Sequence, residues 1–530
     1  MGDHGLDLAL LGVLTAVGGL LLLAYRSRVP YPILFVVGGA ALGFVPGAPD
    51  VRLDPDVVLI IVLPPLLYAA AFFSSLRDLK ENIRPIGLLS IGLVVVTTLV
   101  VGVLAHLVVH GLPWAAAFTL GAVVSPTDPV AATAIAGRLG APRRFVTVVE
   151  GESLINDSTG LIAYRFAVAA TLTGSFSLLD AAGTFVLSVL GGVAVGVVAG
   201  YAVGRVRRAI DDAPTEIALS LLTPYFAYLP AEALGVSAVV AAVTSGIWLG
   251  WRGPWLSAPE TRLQTRAVWD ALTFLLNSAL FVLIGLQLPA VLKAIGNDYP
   301  AMTLVGYAAV VAATVVLVRI AWVFPATYLP RRLSVRLRER DPLPHWTATF
   351  LVAFTGMRGA VSLAAALAIP LKTDAGAPFP GRDLIIFLVY VVIFVTLVVQ
   401  GLLLGPLIER FDITDDGAAE RHEDKARIKA AHSALARLDE LADEDWVRER
   451  SVERMRGMYD FRLRRFRARF DDEDDGELEE GSQAFQRLRR EVLEAERGEI
   501  LRLRDEGFIN DEVMRRIERD LDLEDARLEI

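Results

Sequence analysis

The chain has 530 residues, 54% of them hydrophobic and 21% charged, with a mean hydropathy of +0.50 and a formal charge of −9. Residues 1–410 carry 24 acidic and 27 basic side chains, whereas residues 411–530 carry 36 and 24. A first part so poor in charge is neither a soluble enzyme nor a disordered segment, and the absence of cysteine excludes disulfides, thiolate nucleophiles and Cys-based metal centres.

Six scattered histidines, His4, His106, His110, His345, His422 and His432, show no metal-ligand spacing. The acidic tail argues against a nucleic-acid partner, and no cofactor is expected.

A bilayer core takes about 20 apolar residues per helix. Thirteen stretches meet that need, at roughly 6–25, 30–46, 57–75, 83–109, 113–137, 146–173, 180–204, 215–233, 235–251, 267–289, 300–325, 345–370 and 383–408. The expected fold is an all-α polytopic membrane protein of about 13 transmembrane helices spanning 1–410, followed by a cytoplasmic helical domain at 411–530. The first stretch lacks a basic leader and a small-residue cleavage site, so it reads as a retained helix rather than a signal peptide. Only Gly235 separates the eighth stretch from the ninth.

Loop charge fixes the expected orientation. With the N-terminus outside, the inner loops and tail junction hold 20 Lys and Arg side chains and the outer loops hold four: Arg52, Lys293, Lys372 and Arg382. A single miscounted helix would scramble that alternation. The expectation is an integral protein of a bacterial inner membrane, with the tail in the cytoplasm. Its remaining arginines, Arg165, Arg319 and Arg358, fall inside spans, as do the carboxylates Asp128, Glu150, Glu152 and Asp157. Charges at that depth pair, line a polar cavity, or snorkel to the interface.

Two spans are interrupted. The fifth contains Ser125-Pro126-Thr127-Asp128-Pro129, where two prolines remove backbone donors and open the helix. The twelfth contains Thr355-Gly356-Met357-Arg358-Gly359, where Arg358 can satisfy carbonyls exposed between two glycines. Irregular backbone at membrane depth survives only inside protein or beside a watery cavity. If spans 1–6 and 8–13 form two halves, the interrupted fifth and twelfth are equivalent members. The expected architecture is then two inverted six-helix repeats with a transporter site at the midplane.

The sixth span places Ser153, Asn156, Asp157 and Gly160 on one helical face by i+3 and i+4 spacing. A hydroxyl, an amide and a carboxylate are the oxygen donors that hard cations prefer. Thr127 and Asp128 from the opened helix, or the Pro126 and Thr127 carbonyls, complete a ligand set. Desolvation disfavours the charged form of a carboxylate, so Asp157 holds a proton or a cation but not both. Competition at one carboxylate couples opposing fluxes and gives a one-for-one, electroneutral exchange. Glu152, one turn earlier, is expected to form a structural ion pair with Arg319 or Arg358. Arg165, two turns after Asp157, either tunes it or snorkels outward.

On Pro64-Pro65-Leu66-Leu67-Tyr68, Ser125-Pro126-Thr127-Asp128-Pro129, Glu152-Ser153-Leu154-Ile155-Asn156-Asp157 and Gly356-Met357-Arg358-Gly359-Ala360-Val361, the chain resembles the monovalent cation:proton antiporter family, the sodium/proton exchangers of the bacterial NhaP type. The resemblance covers roughly residues 6–410. It implies a homodimer in which a core domain moves elevator-like against a dimerisation domain. It also implies pH homeostasis by exchange of Na⁺ for H⁺ at Asp157, with Ser153 and Thr127 as Na⁺ ligands and Asn156 marking the electroneutral branch. One position departs: relatives often carry Glu after the Pro-Pro-Leu-Leu-aromatic run, and Ala69 stands here. That change bears on site hydration and ion preference.

The tail shows amphipathic stripes at Ile428, Ala431, Leu435 and Leu438; at Val452, Met455, Tyr459, Leu463, Phe466 and Phe470; at Phe485, Leu488 and Val492; and at Val513, Ile517 and Leu521 behind an Asn510 cap. Asp471 to Asp475 reads as an acidic linker. The arginines at 462, 464, 465, 467 and 469 read as a solvated face neutralised by that run, with lipid or a cytoplasmic regulator as the alternative partner. The function expected is secondary antiport. Alternatives from other classes are a cation channel or an ion sensor gated by the tail, and sodium-coupled uptake of an organic anion.

Overall fold

Prolines, capping side chains and left-handed glycines divide the apolar sequence into helices. The computed structural model describes residues 15–46 without 16, 17, 25 and 28, residues 53–413 without 176 and 297, and residues 417–468 and 477–526. Most of the expected first span therefore lies outside the described residues, and its described part 18–24 is helical.

The following helices are α1 (Tyr31–Gly43), α2 (Leu63–Phe73), α3 (Val94–Val108), α4 (Trp114–Val124), α5 (Val130–Arg138), α6 (Arg143–Thr173), α7 (Leu178–Arg207), α8 (Ala213–Ala233), α9 (Ala238–Arg252), α10 (Pro259–Leu286), α11 (Leu288–Ile295), α12 (Ala301–Leu333), α13 (Trp346–Phe354), α14 (Ala360–Leu367), α15 (Arg382–Phe394) and α16 (Gly401–Arg410). Wide π-helical turns at Val57–Val62 and Leu88–Leu93 lead into α2 and α3, and one at Val395–Gln400 joins α15 to α16. Among the described residues, the β-structure is one isolated bridge, Lys372 with Pro378.

Local chemistry accounts for the ends. Ser177, Asp212 and Ser237 accept backbone N–H groups at the starts of α7, α8 and α9, the usual work of these side chains at an N-cap. Gly235 takes φ +71°, its N–H bonds Glu232 O, and the Val236 N–H reaches back to Ala231 O at 3.0 Å. This pair of reversed bonds closes α8 in the left-handed conformation that glycine adopts without strain. The slender sequence signal at that position is thus a full helix stop.

Among the described residues, five helical stretches are long and apolar enough to cross a membrane: Ile83–Val108, Leu179–Arg207, Pro259–Ile295, Ala301–Leu333 and Arg382–Arg410. Small residues bring them together. A Cβ on Gly39 of α1 would collide with Val282 O of α10, and one on Gly285 with Val36 O. Gly192 and Gly196 of α7 press in the same way on Ser237 and Ala241 of α9. One apolar cluster gathers Leu63, Leu67 and Ala71 of α2 with residues of α8 and α9. A larger one gathers α4, α5, α12, α14 and α15 around Leu120, Val315 and Leu388.

The chain divides into two compact units, Met1–Asp415 and Asp416–Ile530. In the second, α17 (Ala418–Leu441) pairs with α18 (Glu449–Ala468), and α19 (Glu477–Asp505) with α20 (Asp511–Ala526). Ala431, Leu438, Leu463 and Phe466 are buried in the first hairpin, and Leu493 and Leu521 in the second. Asn510 Oδ1 accepts the Val513 N–H at 2.9 Å and caps α20. The third expected stripe is corrected: Phe485 and Leu488 are each 63% exposed. Helix α20 is 16 residues against the 29 of α19. Its ion pairs with α19 run from Arg497 with Asp522 to Arg489 with Glu524, and Phe485 and Leu488 lie before them. Phe470 and the Asp471–Asp475 run lie outside the described residues.

Candidate functional site

The fifth and twelfth spans break where their sequences require it. Helix α4 stops at Val124 and α5 begins at Val130; α13 stops at Phe354 and α14 begins at Ala360. The two open segments cross and bond to each other, Asp128 N–H donating to Met357 O at 2.8 Å. The crossing gathers two helix C-termini and two helix N-termini, which carry opposite partial charges.

Each polarity has its own side chain. Arg358, fully buried, donates from Nε to Val124 O at 3.0 Å and from Nη1 to Gly356 O. It thereby serves carbonyls freed by both breaks, and its own N–H donates to Thr396 Oγ1 at 3.1 Å from the π-helical turn. Asp128 does the converse. Its Oδ1 accepts the Val130 N–H at 2.9 Å at the start of α5, and its carboxylate lies so near Gly359 that any Cβ there would overlap Oδ2. Glycine at 359 is what lets this carboxylate sit at the start of α14.

Helix α6 runs behind the crossing. Gly160 packs against Pro126, where a Cβ would strike the proline ring. Glu152 receives Arg319 from α12 in a two-pronged pair, Nη1 to Oε1 at 2.5 Å and Nη2 to Oε2 at 2.8 Å, both side chains 1% exposed. Thr127 donates to Glu152 Oε1 at 2.9 Å and accepts from Asn156 Nδ2 at 2.7 Å. A continuous chain of bonds therefore runs from Arg319 through Glu152 and Thr127 to Asn156.

This chain decides between the two expected partners of Glu152. Arg319 takes both carboxylate oxygens, and Arg358 is corrected from an ion-pair member to a carbonyl-capping cation. The reason is geometric: Arg358 leaves the twelfth span at the break, beside the bare carbonyls. Of the two readings of Arg165, the tuning of Asp157 gives way. Arg165 pairs with Glu232 of α8 at 2.8 Å, with both side chains about half exposed.

A cavity of about 610 Å³ opens in front of the crossing, bounded on one side by α1, α2 and α10 and on the other by α5, α6 and α14. Asp157, Asp128, Thr127 and Ser153 line it. Asp157 is 7% exposed, and among the described residues its carboxylate has no hydrogen-bond or ion-pair partner. Four of the five expected ion-binding residues thus share one chamber. The fifth, Asn156, is not in its wall: its amide faces Thr127, and its Oδ1 is buried without a hydrogen-bond partner. Ala69 is in the wall, so the departure from the family pattern widens the chamber and removes a carboxylate from it.

Some lining residues were not anticipated. Arg266, Asp270, Thr273 and Asn277 of α10 line the cavity, and the Arg266 and Asp270 side chains are about 60% exposed. Their spacing of four, three and four residues is a polar stripe along one helical face, a signal present in the sequence. The buried pair Arg207–Glu216, with Ser257 bonded to both, had no such signal, because the partners flank a turn.

Broken helices that cross beside a polar cavity are the architecture of secondary transporters. Comparison with known proteins narrows that class. Residues 12–410 match the model of the transmembrane sodium/hydrogen exchangers, and the chain belongs to this family, which consists of transporters rather than enzymes. An uncharacterised Na⁺/H⁺ exchanger of Mycobacterium tuberculosis (strain H37Rv) is 38% identical over 536 residues, which cover 100% of this chain and 98% of the relative. A sodium, potassium, lithium and rubidium/H⁺ antiporter of Bacillus pumilus is 34% identical over 79% of this chain and 63% of its own. The sodium proton antiporter MjNhaP1 from Methanocaldococcus jannaschii shares the fold, with a TM-score of 0.61 at 20% identity over 77% of this chain and 98% of that one. The protein is accordingly an integral membrane cation/proton exchanger of NhaP type, and these relatives lend no support to a channel.

Proposed function

We propose that the protein exchanges one Na⁺ for one H⁺ by competition at Asp157. The observation that carries this reading is the Asp157 carboxylate, buried in a cavity wall with no partner among the described residues, beside Asp128 and the Ser153 and Thr127 hydroxyls. A group with no internal counter-ion must neutralise itself with a proton or a cation. Asp128 already accepts the Val130 N–H at the start of α5 and abuts Gly359 at the start of α14, so Asp157 is the exchanging charge in this reading. Ser153 and Thr127 are the Na⁺ ligands. The second lone pair of the Thr127 hydroxyl remains for an ion while Asn156 and Glu152 use the rest.

The same reading includes thirteen crossings in two inverted repeats, the N-terminus outside and the tail in the cytoplasm of a bacterial cell membrane. It also includes a homodimer whose core, α3 to α6 with α12 to α16, slides against the other helices. The cavity lies between those two groups, and its mouth at Arg266 and Asp270 falls on the side that loop charge assigns to the cytoplasm. Residues 416–530 are a regulatory domain, and the physiological role is pH homeostasis.

The test is transport in liposomes that contain a pH dye and hold an imposed pH gradient. Addition of Na⁺ should dissipate the gradient at a rate unaffected by membrane potential, and Asp157→Asn should abolish this in a folded protein. A potential-dependent rate would overturn the one-for-one stoichiometry. Undiminished exchange by the variant would overturn the role of Asp157. Dissipation by K⁺ or Li⁺ but not Na⁺ would move the ion assignment.

A further inference from the structure

Away from the cavity, three arginines gather where the third, sixth and twelfth helices have neighbouring ends. Asp341 is shared by two of them: Arg331 Nη2 donates to Oδ2 at 2.6 Å, and Arg144 Nη2 to Oδ1 at 2.8 Å. Arg331 completes its bonds on the Asp341 and Thr327 carbonyls, and Arg144 adds Asn82 Oδ1 at 3.1 Å. Arg84 lies within Coulombic reach of Arg331, Arg144 and Asp341. All three of its guanidinium nitrogens are buried and, among the described residues, without a hydrogen-bond partner. Three cations share one carboxylate, and one of the three is wholly unsatisfied. A buried, unpaired guanidinium is costly, and its fixed fork suits a phosphate.

The floor of the site indicates what the phosphate is attached to. A slot of about 170 Å³ lies there, with Arg144 and Arg331 in its wall and Leu89, Phe145, Val148 and Val352 among its apolar lining. Pro85, next to Arg84, lines it too. The slot sits at the Ile83 end of Ile83–Val108 and the Leu333 end of Ala301–Leu333, both long and apolar enough to cross a membrane. Helices of 26 and 33 residues are about 39 and 50 Å long at about 1.5 Å per residue, against a hydrocarbon core of about 30 Å. Their ends therefore reach the headgroup layer. Free phosphate would satisfy Arg84 but leave the apolar slot unused.

We propose that Arg84, Arg144 and Arg331 bind the phosphate of an anionic phospholipid, with the upper part of one acyl chain in the slot. Basic pockets between membrane helices hold acidic lipids in this way. The site joins the Ile83–Val108 helical stretch to α6 and α12, and α6 and α12 carry the Glu152–Arg319 pair, so an occupied site would brace the scaffold of the crossing.

Native mass spectrometry of the full chain in detergent tests this, with phosphatidylglycerol, phosphatidylcholine of the same chains, and inorganic phosphate as probes. Phosphatidylglycerol should bind in preference to phosphatidylcholine, and inorganic phosphate at equal concentration should not displace it. Arg84→Gln should weaken phosphatidylglycerol about tenfold, as expected for loss of a charged phosphate contact. Because Arg84 has no partner to abandon, this variant should fold. Ala348→Phe keeps all three arginines and fills the slot, and it should weaken the lipid to a similar extent. Equal binding of phosphatidylcholine, full displacement by inorganic phosphate, or wild-type affinity in either variant would overturn the proposal.

Discussion

The two breaks have the same geometry and opposite chemistry. At 125–129 prolines open the helix and the charge is Asp128; at 355–359 glycines open it and the charge is Arg358. Asp128 settles at helix N-termini and faces the cavity, whereas Arg358 settles at freed C-terminal carbonyls away from it. Each side chain answers one polarity of the partial charges at the crossing, Arg358 bonding carbonyls from both breaks. A crossing of this kind needs no net charge of its own, and beside it Asp157 lines the cavity with no hydrogen-bond or ion-pair partner among the described residues. The lesson is a division of labour: one break is closed by protein and the other lines the cavity.

Substitutions can break this comparison. Arg358→Gln should have the largest effect, since it strips the carbonyls of both breaks of their cation and leaves Asp128 unbalanced. We expect a loss of about 3–5 kcal/mol, the usual cost of breaking a buried charge network, read as a lowered unfolding temperature together with lost exchange. Unchanged stability would show that the carbonyls find other donors. Glu152→Gln should cost slightly less, because Arg319 keeps its bond to Val352 O. Denaturation in parallel with Arg319→Leu, and with the double variant, would separate the cost of the pair from the cost of one orphaned partner.

Gly359→Ala sharpens the comparison from the other side. The added Cβ would displace the Asp128 carboxylate, so exchange should fall by about tenfold or more while stability changes by only about 1–2 kcal/mol. If transport is untouched, Asp128 does not need to sit at α14. Asp128→Asn keeps an oxygen for the Val130 N–H and removes only the charge. It should shift the apparent cation affinity of the liposome assay more than it shifts stability. The smallest effect should come from the tail. Phe485→Ser alters a side chain that is 63% exposed, and surface changes are usually within about 0.5 kcal/mol. A larger change would reveal a partner for that face.

Much of the membrane unit was legible because its signals are local. Apolar runs gave the helices, Pro126 and Pro129 gave one break, Gly356 and Gly359 gave the other, and i+3 and i+4 spacing put Ser153, Asn156 and Asp157 on one helical face. Partner choice was not local. Glu152 had two candidate arginines at similar depth, and sequence spacing cannot rank residues on different helices. Arg165 found Glu232 because α8 passes beside α6, a neighbour relation that hydropathy does not encode. In the tail, the Phe485 stripe has the same period as the Leu463 stripe. Burial separates them, with Leu463 buried and Phe485 exposed, and the period does not encode that difference.

The sequence alone determined what each segment is able to be: a helix where apolar residues run on, an opening where proline or glycine interrupts them, and a carboxylate held where desolvation penalises its charge. Those outcomes follow from the covalent structure of a few adjacent residues and from the solvent around them. The tertiary structure decided which opening faces the cavity, which arginine neutralises which group, and that Ala69 and the polar stripe of α10 shape the same chamber. These are matters of which distant helices become neighbours, fixed by close packing at positions such as Gly39, Gly285 and Gly160.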